Sequence, residues 1–269
     1  MEKFFTDVFS EKDANVIAFG VPMGKDKKAV QAFRNVSWFQ EIYDIDKKRN
    51  LMENVRSFDR GDVKLADIPK VRKEIESQEK TSFMISDAHL PTLYAVKNFK
   101  GKLLIFDAHS DLCDSYTDEK IVASNLTRDK KVNDATWLRR LVEENNLEVF
   151  IVGLRAVDED IMDFIGKENI QYASASEVKN NLQKVMNDVK NFTRNSHVYV
   201  SLDIDVFDPS IAPGVKFPHP DGILFSHFQN IVGSIEGEIK GIDVCCMKDD
   251  DVTNFLAVRS VFEILSKIY

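Results

Sequence analysis

Apolar residues in this chain fall in short continuous runs separated by longer amphipathic stretches. The runs NVIAFGVP near residue 15, TSFMIS (81 to 86), KLLIF (102 to 106), EVFIVGL (148 to 154), IQYASA (170 to 175), HVYVSLDI (197 to 204) and EIKGIDVCC (238 to 246) read as strands. Their lack of strict alternation fits strands buried on both faces. Helical periodicity recurs between them at roughly 67 to 79, 91 to 98, 135 to 146, 157 to 167, 176 to 192, 224 to 235 and 253 to 268. Strands alternating with helices specify βαβ units, and so a parallel sheet covered on both faces. No repeat, linker or Pro/Gly/Ser-rich stretch divides the 269 residues, so one α/β domain spanning 1–269 is expected. Open α/β sheets bind ligands beyond the carboxyl ends of their strands, which is where chemistry is expected.

Composition narrows the setting. A chain that is 43% hydrophobic and 30% charged folds rather than stays disordered. A net charge of −8 argues against a nucleic-acid surface and against a polybasic membrane patch. No apolar run reaches the ~18 residues of a membrane span. The first residues, MEKFFTDVFSEKDANV, carry acids where a signal peptide carries bases. The cysteines, with Cys245 and Cys246 adjacent, form neither a disulfide framework nor a zinc-knuckle spacing. The expected setting is a reducing cytoplasm.

Three of the strands run directly into acids and histidines. TSFMIS leads to Asp87-Ala88-His89, KLLIF to Asp107-Ala108-His109-Ser110-Asp111, and HVYVSL to Asp203-Ile204-Asp205 with Asp208-Pro209 beyond. Alternate residues of an extended chain point the same way, so Asp107, His109 and Asp111 can converge on one point. Unpaired carboxylates beside a buried strand are costly or take up protons, and a metal cation removes that problem. A lone Asp after a strand is ordinarily a helix cap. Capping does not account for Asp-x-His-x-Asp together with a second pair at Asp203 and Asp205. A calcium loop starting at Asp203 would want Gly at its sixth place and Glu at its twelfth, where Asp208 and Gly214 stand. An aspartyl-phosphate nucleophile would lie on the first strand, whereas this pair comes late.

Taken together, His89, Asp107, His109, Asp111, Asp203 and Asp205 supply four carboxylates and two neutral imidazoles, a charge of −4 that two divalent ions neutralise. Two ions about 3.5–4 Å apart make a recurrent hydrolytic site whose shared water becomes the nucleophile. A carboxylate-rich set without thiolate points first to Mn²⁺ and leaves Zn²⁺, Fe²⁺, Co²⁺ and Ni²⁺ open.

These blocks resemble those of the ureohydrolase family, which includes arginase, agmatinase and formiminoglutamase. FDAHSD is similar to the family's D-A-H-x-D, and SLDIDVFDPSIAPGVKFPHPDG to its S-x-D-x-D-x-x-D-P-x-x-x-P-G. SDAHLPT stands where the family has a G-G-D-H-S-type block, and GDV (61 to 63) and GIDVCC (241 to 246) fit further positions. The compact spacing looks most like archaeal agmatinases. The resemblance implies a three-layer α/β/α fold with a mainly parallel eight-stranded sheet. It implies a binuclear metal centre that hydrolyses linear guanidino or amidino C–N bonds of a small cationic substrate, with metal-activated hydroxide as nucleophile. It places His89 and Asp111 on one ion, His109 and Asp205 on the other, and Asp107 and Asp203 between them, with Asp208 orienting the loop. A homo-oligomer, trimer or hexamer, is implied as well.

The departures cluster around the substrate. Asp134 stands where the family has a proton-shuttling His, and Cys246 where it has a Glu that pairs with the guanidinium. Asp249, Asp250 and Asp251 either replace that Glu or form a solvated helix start. Val215, Lys216 and Phe217 enlarge a loop that is usually small and polar. Ser86-Asp87-Ala88 replaces Gly-Gly-Asp, and Asp118 to Val132 is longer than in compact agmatinases. His219 is a candidate proton carrier at the mouth or a plain loop residue. His197 and His227 read as structural or packing residues, and the cysteines as buried thiols. No residue is assigned a catalytic role. Two alternatives stay open: a family member with a non-guanidinium substrate, and a metal-binding relative without catalysis.

Overall fold

The computed structural model describes residues 3–5, 10–24, 28–116, 131–145 and 147–269. Most of the segment Asp118 to Val132, read above as an insertion, lies outside them. The strands in chain order are β1 (Val16–Val21), β2 (Tyr43–Asp44), β3 (Arg49–Asn50), β4 (Ser57–Asp62), β5 (Thr81–Ser86), β6 (Lys102–Phe106), β7 (Glu148–Leu154), β8 (Gln171–Ser174), β9 (His197–Asp203) and β10 (Glu238–Cys245). Apart from the β2–β3 hairpin, they form one eight-stranded sheet in the order β4-β1-β5-β10-β9-β6-β7-β8. Every pairing in that sheet is parallel.

The sheet is buried on both faces. In β1, Val16 and Ala18 face one apolar core while Ile17 and Phe19 face the other. Helices Lys28–Ser37, Leu182–Thr193, Phe225–Ser234 and Asp251–Ile268 cover the first face, with Phe33, Val185, Phe228 and Phe262 pointing inward. Helices Ile68–Glu76, Pro91–Val96, Trp137–Glu144 and Glu159–Lys167 cover the second, through Ile75, Leu93, Leu141 and Phe164. This is the expected α/β/α layering. Among the described residues no helix is long and apolar enough to cross a membrane.

Several elements differ from the periodicity reading: the helix Lys28–Ser37 and the β2–β3 hairpin are additional to it, and two further differences have a clear local cause. The single helix at 176 to 192 is two helices, Ala175–Asn180 and Leu182–Thr193, broken at Asn181 with φ −137° and ψ 43°. A capping box of Ser174 and Glu177 starts the first one. The eighth strand, β4, has the polar sequence SFDRGD and carries no apolar run. It is an edge strand held by charge: buried Arg34 reaches Asp59 at 2.8 Å and Asp62 at 2.6 Å.

The topology decides where chemistry can happen. Neighbours β5, β10, β9 and β6 form the middle of the sheet. Their carboxyl ends deliver His89, Cys245, Asp203 and Asp107 side by side. Gly153 in β7 makes room beside them. Its φ is +99°, and a Cβ there would lie 2.4 Å from Val206 Cγ2 and 3.3 Å from the Asp107 carbonyl oxygen.

Candidate metal centre

Backbone amides position most of the acids. Asp203 ends β9, and its Oδ1 accepts from the Asp205 amide at 2.9 Å, capping the short 3-10 turn Ile204–Val206. Asp205 Oδ1 accepts from the Ala108 amide at 3.1 Å, and Asp107 Oδ1 from the His109 amide at 2.6 Å. Asp111 adopts φ +53°, and its Oδ2 accepts from the Trp137 indole N–H at 2.6 Å. Each carboxylate is thereby tied on one side and keeps further lone pairs for the interior.

All six sequence-derived candidates are brought together. His109 Nδ1 lies 2.9 Å from Asp205 Oδ2 and 3.6 Å from Asp107 Oδ1. His89 Nδ1 lies 3.1 Å from Asp107 Oδ2, 2.9 Å from Asp111 Oδ2 and 3.3 Å from Asp203 Oδ2. Two sets of donors could each hold an ion: His89 with Asp107 and Asp111, and His109 with Asp107 and Asp205.

The tautomer of His89 tests whether a cation fits. Ser201 Oγ donates its proton to Asp243 Oδ1 at 2.7 Å and stands 3.0 Å from His89 Nε2, so Nε2–H must be the donor there. Nδ1 of the neutral ring then presents a lone pair to three carboxylates. It is buried and has no aligned hydrogen-bond partner, despite those close oxygens. A lone pair facing carboxylate oxygens repels them, a proton on Nδ1 finds no in-line acceptor, and a metal ion satisfies every group at once. The residues present therefore fit a metal.

Without a cation the cluster strains against its own charges. Burial lowers the His109 pKa, but the carboxylates of Asp107 and Asp205 outweigh it and push it up to about 12. His89 behaves alike: burial opposes, and Asp107, Asp111 and Asp203 raise it well above the usual range. Burial raises Asp203 well above the carboxylate range, with Asp205 and Asp107 adding to it. Burial and then Asp107 lift Asp111 to about 6. Burial also raises Asp107, but the two imidazoles reverse that and hold it below the usual range.

The cluster floors a cavity of about 430 Å³ whose walls include Asp134, Asp158, Lys216, Phe217, His219 and Cys246. His219 lines this cavity, with its Nδ1 3.4 Å from the Pro220 carbonyl oxygen. Asp134 reaches it too, but is engaged: its Oδ1 accepts from the Leu90 amide at 3.0 Å, and Oδ2 lies 3.6 Å from Lys216 Nζ. Burial lowers the Lys216 pKa, but the negative groups around it, Asp134 foremost with Asp87 and Asp203, together outweigh burial and raise it, so the ammonium stays charged. Asp250 caps the last helix, accepting from the Thr253 amide at 2.8 Å, which is the solvated-helix-start reading of Asp249 to Asp251. Asp208 accepts from the Ser210 and Gly222 amides at 3.0 Å each, shaping the loop as expected. His197 lies exposed 3.3 Å from Glu238, and His227 accepts from the Leu224 amide at 3.1 Å.

The sequence reading assigned no role to several residues that matter here. Arg155 donates to the carbonyls of Asp205 and His219, both at 2.8 Å, stapling the ligand loop to the loop of Lys216. Ser201 and Asp243 fix His89, and Trp137 fixes Asp111. Asp243 had a visible signal, an acid inside the apolar run of β10. The ligand set was also drawn without thiols, whereas Cys245 and Cys246 lie beside His89 and Asp203.

Comparison with known proteins places the family and the fold. A mitochondrial arginase of Medicago truncatula is 30% identical over 186 residues, 66% of this chain and 52% of that protein, so the chain spans about half its length. An uncharacterised 32.2 kDa protein of Methanothermus fervidus is 27% identical over 240 residues, 84% of this chain and 79% of that one. The solved agmatine ureohydrolase of Thermoplasma volcanium shares the fold, with a TM-score of 0.84 at 24% identity over 100% of this chain and 94% of that one. The arginase family profile matches residues 14–266, and by that match the chain belongs to the arginase family.

Proposed function

We propose that this chain is a binuclear metal-dependent hydrolase of linear C–N bonds in guanidino or amidino compounds, agmatinase-like in substrate class. The observation that carries the reading is the convergence of His89, Asp107, His109, Asp111, Asp203 and Asp205, with buried His89 Nδ1 2.9 to 3.3 Å from three carboxylates yet without an aligned hydrogen-bond partner. In this proposal His89, Asp107, His109, Asp111, Asp203 and Asp205 would hold the two ions, His89 with Asp111 towards one and His109 with Asp205 towards the other. When bound, two divalent ions, Mn²⁺ first for so many carboxylates, supply Lewis acidity and bring the pKa of water towards neutral. The protein does the rest. Ser201 keeps His89 in the right tautomer, Trp137 orients Asp111, and Arg155 holds the Asp205 loop closed on the cavity. Phe217, with its ring centroid 6.4 Å from that of His109, walls the site and suits a small linear substrate.

Lys216 favours a second reading within the same chemistry. Its ammonium occupies the cavity beside Cys246, where a carboxylate would otherwise meet a cation. A substrate whose polar end is neutral or anionic suits that charge better than a guanidinium does. The deciding experiment is urea release from agmatine and arginine by Mn²⁺-loaded protein, with Asp107→Ala as control. Urea that disappears in the control supports the first reading. No urea from protein holding two ions per chain overturns it, in favour of another amidine or amide, or of a metal-binding protein without turnover. A cytoplasmic setting and a trimeric or hexameric assembly belong to the same proposal, and light scattering checks the assembly.

A further inference from the structure

Cys245 and Cys246 are outside the ligand set assigned above, yet they abut it. β10 lies between β5 and β9, so its carboxyl end opens between His89 and Asp203. Cys245 is in register with Asp203, and its Sγ lies 3.7 Å from Asp203 Oδ2. Cys246 adopts φ +65°, a left-handed conformation that costs a side-chain-bearing residue about 1–2 kcal/mol. From there it lines the cavity. One donor atom from each of His89, Asp203, Cys245 and Cys246 lies within 4.8 Å of the other three, and all four residues are buried.

We infer that the two metal positions differ in softness: on the His89 side, Cys245 and Cys246 join His89 and Asp203 as donors to a thiophilic divalent ion such as Zn²⁺. The His109 side, with Asp107 and Asp205, keeps an oxygen-rich set suited to Mn²⁺. The inference rests on the reading of this cluster as a metal centre. Thiolate donors select zinc-like ions, while carboxylates suit manganese-like ones, so one centre can sort two metals. A coordinated thiol gives up its proton, so each metal–sulfur bond releases one proton to solvent, with no electron transferred. The ammonium of Lys216 on the same cavity wall offsets the added negative charge. The competing role is packing, in which two small thiols simply fill the strand end.

Cobalt distinguishes the two. Metal-free wild-type protein is titrated with Co²⁺ in the presence of Mn²⁺, followed by absorbance and by proton release. The expected result is a sulfur-to-cobalt charge-transfer band in the near ultraviolet, saturating at about one Co²⁺ per chain and abolished by Zn²⁺. Cys246→Ala should weaken the band, and the double variant Cys245→Ser, Cys246→Ser should remove it while releasing roughly two fewer protons per ion. Co²⁺ that binds wild-type protein without that band overturns the thiol assignment and leaves the metal centre standing. Failure of wild-type protein to bind Co²⁺ overturns both. Because the wild-type spectrum is decisive, a poorly folding double variant does not blunt the test.

Discussion

Ser201→Ala is the smallest change that unties His89 from the sheet. The Ser201 hydroxyl accepts from His89 Nε2 at 3.0 Å and donates to Asp243 Oδ1 at 2.7 Å, and neither Ser201 nor Asp243 is exposed at all. Alanine leaves the imidazole N–H without that acceptor and takes one of the donors from Asp243, which keeps the Thr92 hydroxyl at 3.0 Å and the Tyr199 hydroxyl. Each buried group left unpaired costs about 1–3 kcal/mol, so the metal-free protein should lose about 2–5 kcal/mol of stability. At about 2–4 °C per kcal/mol for a chain of this size, the melting temperature should fall by about 5–15 °C. Freed of its anchor, His89 also loses the tautomer and orientation that aim Nδ1 at the acids. Loss of such an outer partner typically costs about 10–100-fold in metal affinity. Calorimetry of the metal-free protein reads the first effect, and chelator competition reads the second. Thr92→Val is the matched control, because it takes a donor from the other oxygen of Asp243 but leaves the His89–Ser201 bond intact. It should lower stability while leaving metal affinity nearly unchanged. Wild-type affinity in Ser201→Ala, or an equal loss in Thr92→Val, would refute the argument that the hydroxyl acts through His89.

Three further perturbations probe other parts of the site. His109 is pushed up to about 12 in the metal-free protein, so its stabilising pairing with Asp107 and Asp205 is complete below about pH 6.5 and is lost only as pH climbs towards that raised value. Metal must displace this proton, so affinity should rise with pH, by up to about tenfold per unit for each proton released; competition titrations at mildly acid and mildly alkaline pH check it, and a flat profile counts against it. Lys216→Met removes the ammonium from the cavity and should lower KM for a cationic guanidine about fivefold, or ~1 kcal/mol, while raising it for a carboxylate-bearing amide; steady-state kinetics with both substrates tests the sign. Gly153→Ala puts a Cβ 2.4 Å from Val206 Cγ2 at φ +99° and should destabilise by about 2–5 kcal/mol, seen as a lower denaturation midpoint in urea.

The parts legible in the sequence were those where one local rule dominates. Continuously apolar strands that stop dead at Asp or His mark the carboxyl edge of a parallel sheet, which is why Asp107, His109, Asp111, Asp203 and Asp205 could be picked out. The spacing of Ala29, Val30, Phe33 and Val36 carries a helical period too, although the strand-by-strand reading passes over it. β4 was out of reach for a physical reason: an edge strand needs no apolar run when Arg34 neutralises the acids it buries. Asn181 breaks a helical pattern that periodicity carries straight through, since Leu182, Val185 and Val189 stay in phase. Ser201, Arg155 and Trp137 act through partners 42, 50 and 26 residues away, and no spacing rule reports such pairs.

The same distinction explains why the metal cluster reads clearly and the substrate does not. Asp107, Asp111, Asp203 and Asp205 bring four carboxylates together at one point, a grouping that calls for divalent cations whatever else joins it. What remains around the cavity is Asp134 and Asp158 against Lys216 and Arg155. Asp134 is committed to Lys216 and the Leu90 amide, Arg155 to backbone carbonyls, and Asp158 is exposed. Among the described residues of the cavity no uncommitted carboxylate is left at the Cys246 end to recognise a guanidinium. A cationic substrate in this cavity would have to find its partner at Asp158, near the rim, where solvent weakens the attraction. If the proposed hydrolase reading holds, substrate choice would turn on Lys216 and Cys246, two residues whose importance would come from where the fold puts them rather than from any motif they complete.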